Sequence, residues 1–182
     1  MSTQPGRHLA AILVSDMYGY SRLMEKDEAG TLSRQKNHRR ELIDPEVVRH
    51  LGRIGKSTGD GLLLEFPSAT EAIQCATTIQ TSMAARERDV DPDQRIIYRI
   101  GINVGDIVSE DGDVFGDTVN VAARIEALAE PGGVCITEAV YQLVLDNLDI
   151  HFIDMGSQRV KNISRAIRVW QWTPLSKSLQ PE

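Results

Sequence analysis

No run of basic residues longer than Arg39-Arg40 occurs in the chain, and its formal charge is −6. A protein that grips nucleic acid polymers without choosing a sequence carries a basic surplus or stripe, so that class is excluded. Cysteine is scarce. Cys75 and Cys135 lie in the apolar contexts AIQCATTI and GGVCITEAV, and neither has metal-ligand spacing to the four scattered histidines. Both are expected as buried, reduced thiols. The apolar run Leu9 to Val14 is too short for a signal peptide or a membrane span. The chain is therefore expected to be cytoplasmic, with no direct membrane insertion. Internal repeats and low-complexity blocks are also missing.

What is present is the composition of one globular domain: 182 residues, 41% hydrophobic and 25% charged, enough to bury a core of its own. The domain is expected over residues 8–173, with flexible ends at 1–7 and 174–182. HLAAILVSD reads as a buried strand ending in an acid. MYGYSRLMEKDEAGTLSRQKNHRRELIDPEVVRHL has helical spacing, with interruptions expected at Gly30 and Pro45. GRIGKST and LLLEF flank Gly-Asp-Gly as a β-hairpin with a tight turn. Ser68 caps the following helix, with Glu71 completing a capping box. RIIYRIGINVGDIVSE is a strand, DGDVFGD a loop, and TVNVAARIEALA a helix stopped by EPGG. VCIT, a helix over EAVYQLVLDNL, and an antiparallel pair from IHFIDMGSQRVKNI and AIRVWQWT complete the order. The pattern predicts an α+β fold: a ferredoxin-like βαββαβ core with an extra C-terminal helix and strands. Its sheet would be antiparallel or mixed, with helices packed on it.

Two acids stand at strand tips among small residues, Asp16 after Ser15 and Asp60 between Gly59 and Gly61. Glycine beside an acid lets the backbone turn tightly and a bulky ligand approach. Two carboxylates on adjacent tips could hold one or two Mg²⁺, which favours a few carboxylates plus phosphate oxygens. MYGYS follows Asp16 into a helix, and free amides at a helix start suit phosphate. Asn120 and Arg124 are four apart in TVNVAARIE and share a helix face. Arginine can stabilise charge growing on a phosphoryl oxygen, and asparagine can hydrogen-bond a ribose. Taken alone, each feature also reads blandly: Asp16 as an N-cap or turn acid, Asp60 as a hairpin tip, and Arg124 as a solvated helix residue.

Together these segments resemble the class III nucleotidyl cyclase catalytic domain of the bacterial single-domain type. The resemblance rests on AAILVSDMYGYSRLM, GKSTGDGLLLEF, YRIGINVGDIV, GDVFGDTVNVAARIEALAEPGGVCIT and RVKNISRAIRVWQW, in family order and spacing. It implies that Asp16 and Asp60 bind two Mg²⁺ (or Mn²⁺) ions per site, with the Met17 backbone carbonyl. It implies that Lys56 and Asp113 read the base, and that Asn120 orients the ribose. Arg124 would stabilise the transition state. The amides of Tyr18, Gly19, Tyr20 and Ser21 would hold the triphosphate, and Lys161 would contact it. The family often has glycine after that lysine, where this chain has Asn162. A Lys/Asp pair points to ATP, because lysine donates to adenine N1 and aspartate accepts from the N6 amine. Guanylyl cyclases typically carry Glu with Cys. The family's sites lie between two subunits, which implies an isologous C2 homodimer and an adenylyl cyclase reaction. Weaker alternatives are a guanylyl cyclase, a degenerate nucleotide-binding module, and a palm-type polymerase or dinucleotide cyclase. Room is left for a regulatory domain in a longer parent protein.

Overall fold

AAILV forms the middle of β1 (Gly6–Met17), and its apolar run is continuous because both faces of the strand are covered. Ala11 and Leu13 join the core on one side of the sheet, Ala10 and Ile12 the core on the other. The structure, a computed structural model, describes residues 6–174. Residues 1–5 and 175–182, which make up most of the two expected flexible ends, lie outside the described residues. β1 starts slightly ahead of the expected strand, with Gly6 and Arg7 paired to Ser109 and Val108.

The long helical stretch is divided. α1 (Tyr20–Lys26) and α2 (Glu28–His38) break at Asp27, not at Gly30. The Asp27 carboxylate accepts the Gly30 N–H at 2.9 Å and caps α2. Gly30 stays inside the first turn of α2, and a Cβ there would lie 2.1 Å from that carboxylate. A π-helical turn (Arg39–Ile43) leads to α3 (Asp44–Arg49), which carries Pro45 in its first turn as expected.

β2 (Arg53–Ser57) and β3 (Gly61–Phe66) form the expected hairpin. α4 (Ala69–Arg86) is capped by Ser68, whose hydroxyl accepts the Glu71 N–H at 3.2 Å. The capping box is only half made, because the Glu71 carboxylate pairs with His50 Nδ1 at 2.8 Å. A 3-10 turn (Pro92–Gln94) precedes β4 (Tyr98–Glu110). Where a loop is expected, β4 turns back into a short β5 (Asp113–Phe115). Asp111 and Gly112 hold φ of 51° and 83°, the left-handed pair that an Asp-Gly hairpin turn requires. α5 (Asp117–Glu126), β6 (Val134–Thr137), α6 (Glu138–Val144), β7 (Ile153–Gln158) and β8 (Ile167–Trp172) follow.

The strands form one sheet in the order β2-β3-β1-β4-β6-β8-β7, with β5 attached to β4. Among the described residues, only β4 and β6 pair in parallel, so the sheet is mixed and the fold is α+β, as predicted. Both edge strands carry a register shift, β2 between Ile54 and Lys56 and β7 between Asp154 and Ser157. The main core lies under α1, the π turn, α3, α4 and α6. α5 covers the opposite face. Cys75 and Cys135 are buried and free, and burial pushes both thiols up to about 12. Among the described residues, no helix is long and apolar enough to cross a membrane.

α5 rests on the GINVG segment of β4. Gly101, Asn103 and Gly105 alternate toward it. A Cβ on Gly101 would meet the Ala122 carbonyl and the Glu126 amide, each at 2.5 Å, and one on Gly105 would meet Thr118 Oγ1 at 2.6 Å. Between them, Asn103 donates to the Thr118 carbonyl at 3.2 Å and accepts from Thr137 Oγ1 at 2.8 Å. Gly101→Ala should therefore cost about 1–3 kcal/mol, the usual penalty for forcing a methyl into a filled contact. Chemical denaturation should show a lowered midpoint with an unchanged slope.

Candidate active site

The strand ends fix the two acids. Asp16 closes β1 opposite Gly61 of β3 on one side and Arg99 of β4 on the other. Asp60 occupies the β2–β3 turn, where Gly61 N–H donates to Thr58 Oγ1 at 3.1 Å and Thr58 N–H to the Gly61 carbonyl at 2.9 Å. The Met17 N–H donates to the Asp60 carbonyl at 2.9 Å, which ties the end of β1 to this turn. Both carboxylates line one cavity of about 280 Å³, together with Lys56, Thr58, Ala123 and Glu126.

A larger groove of about 720 Å³ runs between α2, α3 and the end of β2, lined by Lys36, Arg39, Arg40 and Asp44. It gathers cations without a facing pair of acids. The chemistry expected of Asp16 and Asp60 therefore belongs to the smaller cavity.

Lys56 reaches the cavity through the β2 bulge. In a regular strand Ile54 and Lys56 would share a face. Here Ile54 pairs with Leu64 and Lys56 with its neighbour Leu63, so the two point to opposite faces. Gly55 fills the bulge, where a Cβ would sit 2.9 Å from Leu63 and 3.0 Å from Val114.

Asn120 and Arg124 do not join this cavity. They lie on the outward side of α5, opposite its buried stripe. Asp113 begins β5, and Lys161 lies in the exposed turn between β7 and β8. Among the described residues, the side chains of Lys56, Asp60, Asp113, Asn120, Arg124 and Lys161 make no hydrogen bond or ion pair within the chain.

The amides after Asp16 are partly committed. Tyr18 N–H donates to the Ile97 carbonyl at 2.8 Å, so it does not point free into the site. Gly19 is the N-cap of α1 with φ 68°, a left-handed position that glycine fills without strain. The Tyr20 ring packs on the main core and Ser21 is exposed. Met17 is buried in the main core, and its N–H is committed to the Asp60 carbonyl.

Two residues of the site were not among those expected. Arg99 grips Asp16 through two bonds, Nε to Oδ1 at 3.2 Å and Nη2 to Oδ2 at 3.0 Å. It also lies 5.8 Å from the centre of the Tyr18 ring. The Asp16 hydrogen bond holds the Arg99 guanidinium above its ordinary value. Glu126 is 4% exposed, and its Oε1 has no hydrogen-bond partner. Burial, then the hydrogen bond and charge of Asp16, push its carboxyl up to about 9, so it is protonated at neutral pH. A signal for Glu126 was present. It continues the buried stripe of Thr118, Val121, Ala122 and Ile125 on α5, and an acid on such a stripe is out of place unless a site needs it. Arg99 gave no such signal, because its meeting with Asp16 depends on the β1–β4 register.

The donor set suits a hard divalent cation. Asp16 and Asp60 supply carboxylate oxygens facing one cavity. Among the described residues, no group of three or more His, Cys, Asp or Glu side chains forms a metal cage. Magnesium is commonly held by one or two carboxylates plus substrate phosphates, so a two-acid site fits it.

A family profile described as "Adenylate and Guanylate cyclase catalytic domain" matches residues 6–172. The chain belongs to this family. It is 50% identical over 175 residues to "Putative adenylate cyclase 3" of Rhizobium meliloti, a match covering 96% of this chain and 30% of that protein. A solved "Adenylate/Guanylate Cyclase/Hydrolase" from Silicibacter pomeroyi shares 56% identity at a TM-score of 0.89, over 94% of this chain and 99% of that one. The fold is also that of the adenylyl cyclase CyaB from P. aeruginosa, with TM-score 0.80 at 24% identity over 93% and 95% of the two chains. The chain spans about a third or less of the first curated relatives it matches, 30%, 16% and 35% of their lengths.

The protonation of Glu126 has a stability consequence. Its folded-state value lies above its ordinary 4.5, so its contribution is fully present below that value. The contribution is lost progressively as pH rises toward about 9. In metal-free protein, Glu126→Gln should flatten the fall of the melting temperature between pH 5 and pH 9. An identical slope in the variant would place the protonated group elsewhere.

Proposed function

We propose that the chain is an adenylyl cyclase domain that converts ATP to 3′,5′-cyclic AMP and pyrophosphate at two sites shared across a C2 homodimer. The carrying observation is a division of labour within one chain. Asp16 and Asp60 converge in a cavity, while Asn120 and Arg124 stand outward on α5 with no polar partner in the described chain. Apolar surface lies beside the outward residues: Phe115 is exposed, and Val119 and Leu63 are partly covered. A second copy packed there would bring its own Asn120 and Arg124 to the acids.

In this reading Asp16, Asp60 and the Met17 carbonyl hold Mg²⁺ or Mn²⁺. When bound, the cations acidify the ribose 3′-hydroxyl and neutralise the triphosphate. The ribose O3′–Pα bond forms in line as the bond from Pα to the bridging oxygen breaks, and the hydroxyl proton leaves to solvent. Arg124 donates to the charge growing on the α-phosphate, and Asn120 orients the ribose. Lys56 donates to adenine N1 and Asp113 accepts from the N6 amine. Arg99, if a cation displaces it from Asp16, would stand beside the acids as a further positive charge for the triphosphate. Lys56 lines the cavity of its own chain in the isolated protomer. Its use by the opposite site therefore requires its flexible stem to turn across the interface. No protein general base is assigned.

The reading is tested by turnover of ATP and GTP with Mg²⁺ and Mn²⁺ at several protein concentrations. Cyclic AMP from ATP, with specific activity rising as dimers form, is the expected outcome. Cyclic GMP as the main product would overturn the base assignment. Arg124→Ala should lower kcat about 10²–10³-fold with little change in KM. Mixing inactive Asp16→Ala with inactive Arg124→Ala should restore one intact site per heterodimer. Proven heterodimers without recovery would sink the shared site.

A further inference from the structure

Asp60 sits between two peptide planes, and each is pinned by a different element. The plane that follows it is held through its own carbonyl, which accepts the Met17 N–H at 2.9 Å. The plane that precedes it contains the Gly59 carbonyl. That carbonyl accepts a hydrogen bond from Gln35 Nε2 on α2, at 2.8 Å and across 24 residues of sequence. Among the described residues this is the only side-chain hydrogen bond that reaches the turn from outside the hairpin. The Tyr20 hydroxyl lies 3.2 Å from where a Gly59 Cβ would stand, which gives packing but no bond. The peptide group is planar, so fixing the Gly59 carbonyl restrains both ψ of Gly59 and φ of Asp60. Those angles set the direction of the Asp60 Cα–Cβ bond. Glycine at position 59 adds no side-chain restraint of its own.

The other end of the brace is rigid. On the same helix, Arg34 Nη1 donates to Glu87 Oε2 at 2.9 Å, and His38 Nε2 pairs with Glu87 Oε1 at 2.6 Å. Glu87 is 3% exposed and joined to the end of α4. Arg86 Nε donates to His38 Nδ1 at 2.9 Å and completes the anchor. Gln35 thus extends from a helix fastened within one turn on either side of it.

We propose that Gln35 is a positioning residue for Asp60, holding the carboxylate in its cation-binding direction through the Gly59–Asp60 peptide. The link to cation binding rests on the cyclase reading above. The hold on the turn does not.

The test compares Gln35→Met, which keeps the length but loses the donor, with Gln35→Lys, which keeps a donor. Hydrogen exchange over residues 57–62 reads the turn directly. Mn²⁺ binding followed by electron paramagnetic resonance reads the carboxylate. Gln35→Met should speed exchange in the turn and weaken Mn²⁺ binding about two- to tenfold, as expected for loss of one hydrogen bond. It should lower kcat more than it changes KM for ATP. Gln35→Lys should return all three toward wild type. Unchanged exchange in Gln35→Met, or equal losses in both variants, overturns the proposal. Asp60→Asn separates the two readings: if it binds Mn²⁺ as wild type does, the cation role of Asp60 fails, and exchange still decides whether Gln35 holds the turn.

Discussion

The site depends on how closely α5 lies on β4. A helix backbone can touch a strand only where the strand has no side chain in the way, and Gly101 provides that gap under Ala122 and Glu126. Gly105 repeats it under Thr118. Because the Gly101 contact is backbone to backbone, it fixes the helix in rotation as well as in depth. That rotation sends Glu126 inward to Asp16 and turns Asn120 and Arg124 outward. A helix raised by one methyl group would move all three together. The polar pins at Asn103 and Thr118 fix the helix along the strand, so it cannot slide to relieve a clash.

The charges under α5 form a second constraint. Asp16, Asp60 and Glu126 bring three carboxyl groups to one cavity, with Lys56 and Arg99 as cations beside them. Three ionised acids in one cavity would repel each other in a partly dry setting. Two devices relieve this. Arg99 clamps Asp16 with both arms of its guanidinium, and Glu126 keeps its proton. The arrangement leaves the Asp60 carboxylate without a hydrogen bond or ion pair among the described residues. In the reading proposed above, a cation entering between the acids would compete with Arg99 for Asp16.

Much of this was legible in the sequence, because the features involved are local. The continuous run in β1, the Gly-Asp-Gly hairpin, the Ser68 cap and the proline at the start of α3 each declare themselves within a few residues. Other features failed for physical reasons. Gly30 reads as a helix breaker, but its missing Cβ makes room for the Asp27 cap, and the break falls earlier. Asp111-Gly112 reads as a loop, yet its two positive φ angles close a hairpin. Glu71 has the spacing of a capping box, but His50, brought in by the fold, takes its carboxylate. Arg99 and Gln35 are invisible for the same reason: each acts across a register or an interhelical distance that no local pattern encodes. That Asn120 and Arg124 share a helix face was legible; that this face turns outward was not. Nor was what faces them.

The two register shifts at the sheet margins have a further consequence, for growth of the sheet. A flat outer strand offers a row of unpaired amides and carbonyls to any passing chain. β2 interrupts that row at Gly55 and places Arg53 and Lys56 around the break. β7 interrupts it before Ser157, where Gly156 takes a φ of 73° and Arg168 pairs with Asp154. Neither margin offers a long, regular template, so strand-by-strand accretion into fibres meets a geometric fault at both ends. In the shared-site reading proposed above, the rims would therefore make poor contacts, and a closed pair would form on a broad face.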